Sequence, residues 1–203
     1  MISSEYVDSL LAAQGHDCLL LSDDKIVRGL AFEKAGVKRA WSQALLLWAL
    51  SKGTTRIAPY SYAVTRLARW RCKYITVNPQ ILIDISMQAG DEALTDFRTV
   101  VKLLTLGTNS LREVVTVVGA ILTFCWSGRK VPNIRIVHLT YESLSGVAPE
   151  TAPNGLEFLS LLLEVLPGSE LRPARQAILT WVSGHFLLES LVKFMRDAKT
   201  LAP

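Results

Sequence analysis

The sequence predicts a mainly α-helical protein, a compact bundle of about seven helices with a minor β element. Along most of the chain, apolar residues recur at intervals of three and four, the spacing that places them on one face of a helix. Half of the 203 residues are hydrophobic and 20% are charged, a composition that can build a core and excludes a disordered tail or a fibre. We therefore expect one domain over residues 1–203, with a subdomain hinge in the Pro- and Gly-containing loop 145–155.

Four helices are predicted in the N-terminal part of the chain. A short first helix ends near Gly15, and a second runs from a cap at Ser22 to Gly36. The segment 37–52 has apolar residues on every side, so the third helix is expected to be buried nearly all round. Pro59 then begins a fourth helix, because proline fits the first turn, where its missing N–H is not needed.

Two stretches have the pattern of β-structure. Asn78 and Pro79 form a turn signal between two segments rich in β-branched residues, which predicts a hairpin near 73–86. Apolar and other residues alternate from 133 to 140, which predicts a short strand there. These two elements make up the expected β component.

The C-terminal part is predicted to be helical again. One helix ends at Gly107, and the capping-box spacing of Ser110 and Glu113 begins a strongly apolar, central one. Leucines spaced for one helical face follow over 156–166, and Pro173 begins the last helix.

Charge is distributed unevenly along the chain. Residues 1–24 hold five acids and no base, which gives −5, whereas residues 25–80 hold eleven bases and one acid, which gives +10. The remaining residues, 81–203, hold eleven bases and twelve acids and are close to neutral. A local charge of this size attracts an anionic partner over about a Debye length.

The candidate binding residues lie in that basic segment. Tyr62, Arg66, Arg69 and Lys73 share the stripe of the fourth helix that faces away from its apolar side. Arginine and lysine contact phosphates without sequence preference, and an exposed aromatic ring can stack on a base. Trp41, Trp48, Trp70 and Tyr60 lie on apolar stripes and are expected in the core or at an interface. The predicted nucleic-acid-binding residues are Tyr62, Arg66, Arg69, Lys73, Lys38, Arg39, Arg56 and Arg71.

Motifs for catalysis or cofactors are missing from the sequence. No phosphate-binding loop, dinucleotide fingerprint, nucleophile elbow or zinc-protease motif occurs, so we expect neither an enzyme nor a cofactor. Three weak groupings have simpler explanations than catalysis or metal binding, namely a surface hydrogen bond, adjacent side chains that point in different directions, and helix capping, in the order given next. They are His185 with Glu189; His16, Asp17 and Cys18; and Asp84, Asp91, Glu92 and Asp96. The three cysteines have no metal-site spacing and are expected to be buried thiols.

These observations favour a self-associating protein that binds nucleic acid, single-stranded and without sequence preference, in the manner of a viral nucleocapsid or accessory packaging protein. Two alternatives use the same basic face. One is a matrix-like scaffold on an anionic membrane, and the other is an adaptor or effector that meets an acidic protein. The acidic start and the lack of a run of about 20 apolar residues predict an intracellular protein, in the cytoplasm or nucleus.

Overall fold

The structure, a computed structural model, describes residues 4–14, 18–72, 75–104, 109–127, 131–147, 154–166, 168 and 171–185. Within these residues the protein is mainly helical, with ten α-helices and one small sheet, so the mainly α prediction is confirmed and the number of helices exceeds the expected seven. The chain divides into two compact units, Met1–Thr76 and Val77–Pro203. The predicted single domain with a hinge at 145–155 stays a prediction, and residues 148–153 of that loop lie outside the described part.

The first unit combines helices with a parallel pair of strands. Its elements are α1 (Ser4–Ala13), β1 (Leu19–Leu21), α2 (Lys25–Ala35), β2 (Lys38–Ala40), α3 (Ser42–Ser51) and α4 (Ile57–Arg69). β1 and β2 are connected through α2 and pair in parallel, with Leu21 opposite Ala40. Asp24, two residues after the expected Ser22, caps α2 by accepting hydrogen bonds from the N–H groups of Ile26 and Val27.

The second unit is built from helices joined by loops, as far as its residues are described. Its elements are α5 (Pro79–Met87), α6 (Asp91–Val101), a 3₁₀ turn (Lys102–Leu104), α7 (Leu111–Ser127), α8 (Asn133–Val147), α9 (Gly155–Val165) and α10 (Arg172–His185). The central helix α7 begins with the predicted capping box. Ser110 Oγ accepts from the Glu113 N–H at 3.3 Å, and a Glu113 carboxylate oxygen accepts from the Ser110 N–H at 3.2 Å. The Ser110 hydroxyl also donates to the Glu113 carboxylate at 2.6 Å, and this bond, followed by the one from the Ser110 N–H, lowers the pKa of Glu113.

α6 and α8 approach each other closely at Gly146. A Cβ atom at this position would lie 2.5 Å from Cγ1 of the fully buried Val101, so only glycine fits without displacement of α6. A bidentate ion pair between Arg98 and Glu142 joins the same two helices, with the Arg98 Nε atom 2.6 Å from Glu142 Oε2. The pair raises the pKa of Arg98.

The predicted hairpin near 73–86 is wrong, because the described residues from 79 onward form α5. The Asn78 side chain accepts a hydrogen bond from the Ile81 N–H at 3.1 Å and caps this helix, and Pro79 lies in its first turn. Ile81 and Ile85 are both buried and are four residues apart, which fits a helix as well as a strand. Lys73 and Tyr74, also in the predicted hairpin, lie outside the described residues.

The predicted strand at 133–140 is also wrong, since these residues begin α8. Ile136, Leu139, Thr140 and Ser143 are buried at intervals of three and four. The Thr140 and Ser143 hydroxyls donate to the carbonyls of Ile136 and Leu139, four residues earlier, as polar side chains inside helices do. Tertiary packing of this face therefore outweighs the β-propensity of the isoleucines and the valine in the segment 133–140.

The predicted burial of α3 and of two of the three cysteines, all in the first unit, is wrong as well. α3 was expected to be buried on nearly every side, but Gln43 is its one buried residue. Of the cysteines, Cys125 is buried, Cys72 is partly exposed and Cys18 is exposed. The buried fraction of a small unit is limited, so apolar residues in such a unit can remain at the surface.

Candidate nucleic-acid interface

The candidate interface is built on α4, an amphipathic helix of the first unit. Tyr60, Val64, Leu67 and Ala68 are buried at intervals of three and four. Thr65, also buried, satisfies its hydroxyl by donating to the Ser61 carbonyl at 2.8 Å. The buried stripe fixes the rotation of α4 and leaves the opposite side of the helix open to solvent.

Tyr62, Arg66 and Trp70 occupy that open side at intervals of four residues. Tyr62 is 65% exposed and Trp70 is 66% exposed, high values for aromatic side chains. The guanidinium of Arg66 lies over the Trp70 ring, 5.3 Å from its centroid, which is cation–π distance. With a rise of 1.5 Å per residue, Tyr62 and Trp70 stand about 12 Å apart along the helix axis. We call these three residues the α4 ladder.

Two more predicted arginines lie at the C-terminal end of α4. Arg69 is in the last turn and is partly exposed. Arg71 is exposed and has φ of 56°, the left-handed conformation that favours glycine. Its N–H donates to the Ala68 carbonyl, and the Cys72 N–H donates to the Leu67 carbonyl, which is the Schellman arrangement that ends a helix.

An apolar groove lies beside the α4 ladder, between α3 and α4. Its volume is about 380 Å³. We call it the α3–α4 groove. Its lining residues are Leu21, Ser42, Leu45, Leu46, Tyr62, Ala63, Arg66, Leu67 and Trp70.

Gln43 connects α3 to α4 and to the chain that follows it. The side chain is 1% exposed and makes three hydrogen bonds. Its amide nitrogen donates to the Thr76 carbonyl at 2.6 Å and to the Tyr60 hydroxyl at 3.2 Å, and its amide oxygen accepts from the Thr76 N–H at 2.7 Å. Burial raises the pKa of Tyr60, and the hydrogen bond with Gln43 opposes this. The amide therefore fixes the helix that forms one wall of the groove.

Lys38 and Arg39 are exposed on β2, the strand paired with β1. Leu21 at the end of β1 lines the groove, and Lys38 lies two residues before Ala40, the partner of Leu21. Arg39 is held in place, because its guanidinium donates to the Arg28 carbonyl at 2.7 Å and covers the Phe32 ring at 4.5 Å.

The structure therefore brings some of the predicted residues together and separates others. Tyr62 and Arg66 share the groove, and Arg69 and Arg71 share the end of α4. Arg56 is exposed before the first turn of α4, about 20 Å from Arg69 along the axis. Lys73 lies outside the described residues. A single phosphate cannot reach all of these cations, but an extended polyanion can.

Few carboxylates oppose these cations in the sequence around the groove. Residues 34–83 contain nine bases and no acid. Asp23 does contact the groove wall, where its carboxylate accepts from Ser42 N at 2.9 Å and Ser42 Oγ at 2.7 Å. These hydrogen bonds lie at the N-terminus of α3, where a negative charge is stabilised by the helix dipole.

The described residues give no support to a metal site or a membrane span. They contain no group of three or more His, Cys, Asp or Glu side chains placed to hold a metal ion. Glu189, His16 and Asp17, from two of the weak groupings, lie outside the described part. Among the described helices, none is both long and apolar enough to cross a bilayer.

Comparison of the chain with protein-family models, with curated proteins and with solved structures finds no match. The residues around the groove are therefore the basis for a functional assignment.

Trp70 and Trp48 are the residues that sequence reasoning placed differently. Trp70 is 66% exposed and Trp48 is 57% exposed, so neither residue lies in the core. Tyr60, for which the same expectation was made, is buried. A signal for Trp70 was present in the sequence. It follows Arg66 by four residues and Tyr62 by eight, so it belongs to the edge of the charged stripe as much as to the apolar one.

Proposed function

We propose that this protein binds single-stranded nucleic acid without sequence preference through the basic side of its first unit, and that it self-associates on the strand. The α4 ladder carries the proposal, because it combines two exposed aromatic rings with an arginine in one row. Rows of this kind let cations contact phosphates while rings stack on bases of any identity. The protein then acts inside the cell by binding and packaging, not by catalysis.

The arrangement of the cations supports contact with a long anion. Arg66, Arg69 and Arg71 follow one another along the end of α4, and Arg56 precedes its start. Lys38 and Arg39 extend the positive surface on β2. An extended strand can contact such separated charges in turn, with each contact releasing counterions.

Self-association is supported by the apolar surface of the first unit. Of the thirteen large hydrophobic side chains that are exposed among the described residues, eleven belong to this unit. They include Trp48 and Leu47 on α3. Exposed apolar side chains that lie together on a surface are typical of sites that meet a partner.

The binding experiment compares two double variants with the same change in charge. Arg66→Gln/Arg69→Gln removes two cations from α4, and Arg112→Gln/Arg172→Gln removes two exposed cations from the second unit. We expect the first pair to lower affinity for a single-stranded oligonucleotide equally across sequences, and to reduce the slope of log K against log salt by about 1.4. The control pair should leave both quantities near those of the parent protein. Equal effects of the two pairs would contradict a site on α4.

Self-association is tested by size-exclusion chromatography with light scattering, with the 260/280 nm ratio recorded before and after nuclease treatment. We expect a large species rich in 260 nm absorbance that becomes smaller on nuclease treatment. A species of unchanged mass without nucleic acid would count against assembly on a strand. A nuclease-insensitive complex with an acidic protein would instead favour the adaptor function.

A second candidate function is binding to an anionic membrane. The exposed side chains of Leu45, Leu47 and Trp48 on α3 favour it, because they lie close in the chain to Lys52 and Arg56. Apolar and aromatic side chains next to cations are typical of proteins that lie on a bilayer surface, where each cation contributes about 1 kcal/mol. Flotation with anionic vesicles that is lost in Trp48→Ala would support this candidate.

A further inference from the structure

We propose that the α3–α4 groove receives an unpaired nucleobase, stacked on the indole of Trp70, while Arg66 contacts the adjoining phosphate. The inference rests on the proposed function and deepens it by assigning the part of the strand that the groove holds. It also gives a physical reason for preferring a single strand, since the bases of a duplex are stacked inside and cannot enter a side groove.

The size and lining of the groove suit one flat, largely apolar group. Its volume of about 380 Å³ lies in the range of sites for small ligands. Leu45, Leu46, Ala63 and Leu67 supply an apolar floor, and Trp70 supplies an aromatic wall. A base can place its faces against these side chains while its polar edges point to solvent at the mouth of the groove.

Arg66 links the stacking wall to the backbone of the strand. Its guanidinium lies over one face of the Trp70 indole, 5.3 Å from the ring centroid, so a base that stacks on Trp70 uses the other face and has the positive charge beside it. A planar cation in this place can accept stacking and can also donate to a phosphate. Tyr62, about 12 Å further along α4, offers a second exposed ring to a neighbouring base.

Charge complementarity distinguishes this occupant from an uncharged apolar segment. All lining residues of the groove except Leu21 lie in the run 34–83, which has nine bases and no acid, and Arg66 is one of them. The Asp23 carboxylate, which is hydrogen-bonded to Ser42, is the acid described at the groove wall. A polyanion with flat bases is complementary both to the positive charge around the groove and to the aromatic ring of Trp70. An acyl chain or an amphipathic helix would contact the apolar floor, but Trp70 and Arg66 together would contribute less to its binding free energy.

The experiment separates stacking from charge by using two strands with the same number of phosphates. One is an oligothymidine of about 12 nucleotides, and the other is an abasic strand of equal length. Binding of both is measured by fluorescence anisotropy for the parent protein, Trp70→Ala and the control Met87→Ala. Met87 is 49% exposed at the end of α5 in the second unit, so its variant tests the loss of an exposed apolar side chain outside every proposed binding surface.

We expect Trp70→Ala to weaken oligothymidine binding about 10-fold and to leave the affinity for the abasic strand unchanged. Met87→Ala should change neither affinity. Ala63→Leu keeps every aromatic side chain and charge but fills the floor of the groove, and it should give the same selective loss. Because Trp70 is largely exposed, its variant should keep the circular dichroism spectrum of the parent protein.

The outcomes distinguish the inference from the proposed function. If neither strand binds the parent protein, the proposed function fails and the base site fails with it. If the two strands bind equally well, or if Trp70→Ala weakens both to the same extent, nucleic-acid binding stands and the base site is refuted. If Trp70→Ala leaves both strands unaffected but abolishes flotation with anionic vesicles, the groove holds lipid and the inference is refuted.

Discussion

Replacing Gln43 with leucine should destabilise the fold around the groove. Leucine is similar in size to glutamine, but it cannot make the three hydrogen bonds to Tyr60 and Thr76. A hydrogen bond contributes about 1 kcal/mol on average, and more when its loss leaves a buried partner without water. The Tyr60 hydroxyl belongs to a residue that is 1% exposed, whereas Thr76 is exposed and its backbone can be rehydrated. We therefore expect the free energy of unfolding to fall by about 3 kcal/mol.

Urea unfolding of the 203-residue chain, followed by circular dichroism, measures this change. Hydrogen exchange at the Thr76 amide adds a local readout, because its N–H donates to the Gln43 side chain. Exchange at this amide should accelerate in Gln43→Leu more than at amides inside α4. A loss of stability below about 1 kcal/mol would refute the reasoning that the buried amide holds α3 and α4 together.

Gln43→Glu provides a matched control. An ionised carboxylate still accepts from the Thr76 N–H but cannot donate to the Thr76 carbonyl, so at neutral pH part of the network is lost. Burial raises the pKa of such a carboxyl group, and the protonated form can donate again. Between the pKa of this carboxyl group in the unfolded state and its higher pKa in the folded state, only the folded protein holds the proton. The free energy of unfolding therefore falls as pH rises through this interval. Gln43→Glu should therefore be closest to the parent protein in acid, and indistinguishable behaviour of the leucine and glutamate variants at every pH would contradict this.

Two further predictions follow from the backbone and from burial. Arg71→Gly should raise the free energy of unfolding by about 0.5 to 1 kcal/mol in a urea titration, because glycine adopts the left-handed conformation without strain. Arg71→Ala removes the same charge but keeps the strain, so an equal gain there would argue against this cause. Burial raises the pKa of the Cys125 thiol from its ordinary 9.0 to about 11, so at pH near 8 iodoacetamide should modify Cys18 and spare Cys125, as read by mass spectrometry. Since the folded thiol keeps its proton longer than the unfolded one, its contribution to stability is present below pH 9 and is lost as pH rises toward 11.

Helical periodicity was a reliable guide where one face of a helix is buried and its ends are capped. The stripe of α4 and the Ser110–Glu113 cap of α7 were both predicted from residue spacing alone. The predictions of a hairpin near 73–86 and a strand at 133–140 failed because β-branched residues fit either structure locally. Their helical state depends on the Asn78 cap and on packing against residues far away in sequence, which short-range patterns do not contain.

The candidate site was predictable in part for a similar reason. Tyr62 and Arg66 could be predicted from the charged stripe of a single helix, because residue spacing alone defines that stripe. The groove needs α3 beside α4, and the exposure of Leu45 and Trp48 depends on α3 turning Gln43 inward. A sequence with leucines on every side of a helix does not indicate which side faces solvent, and on α3 the buried residue is a glutamine.

The close approach at Gly146 has an evolutionary consequence. Because a methyl group there would collide with Val101 Cγ1, the two positions are not free to vary independently. A descendant of this chain that acquires alanine at 146 should also acquire a smaller residue at 101, or the α6–α8 pair must separate. In a lineage of such proteins, residues 101 and 146 should therefore change together, although they lie in different helices and 45 residues apart.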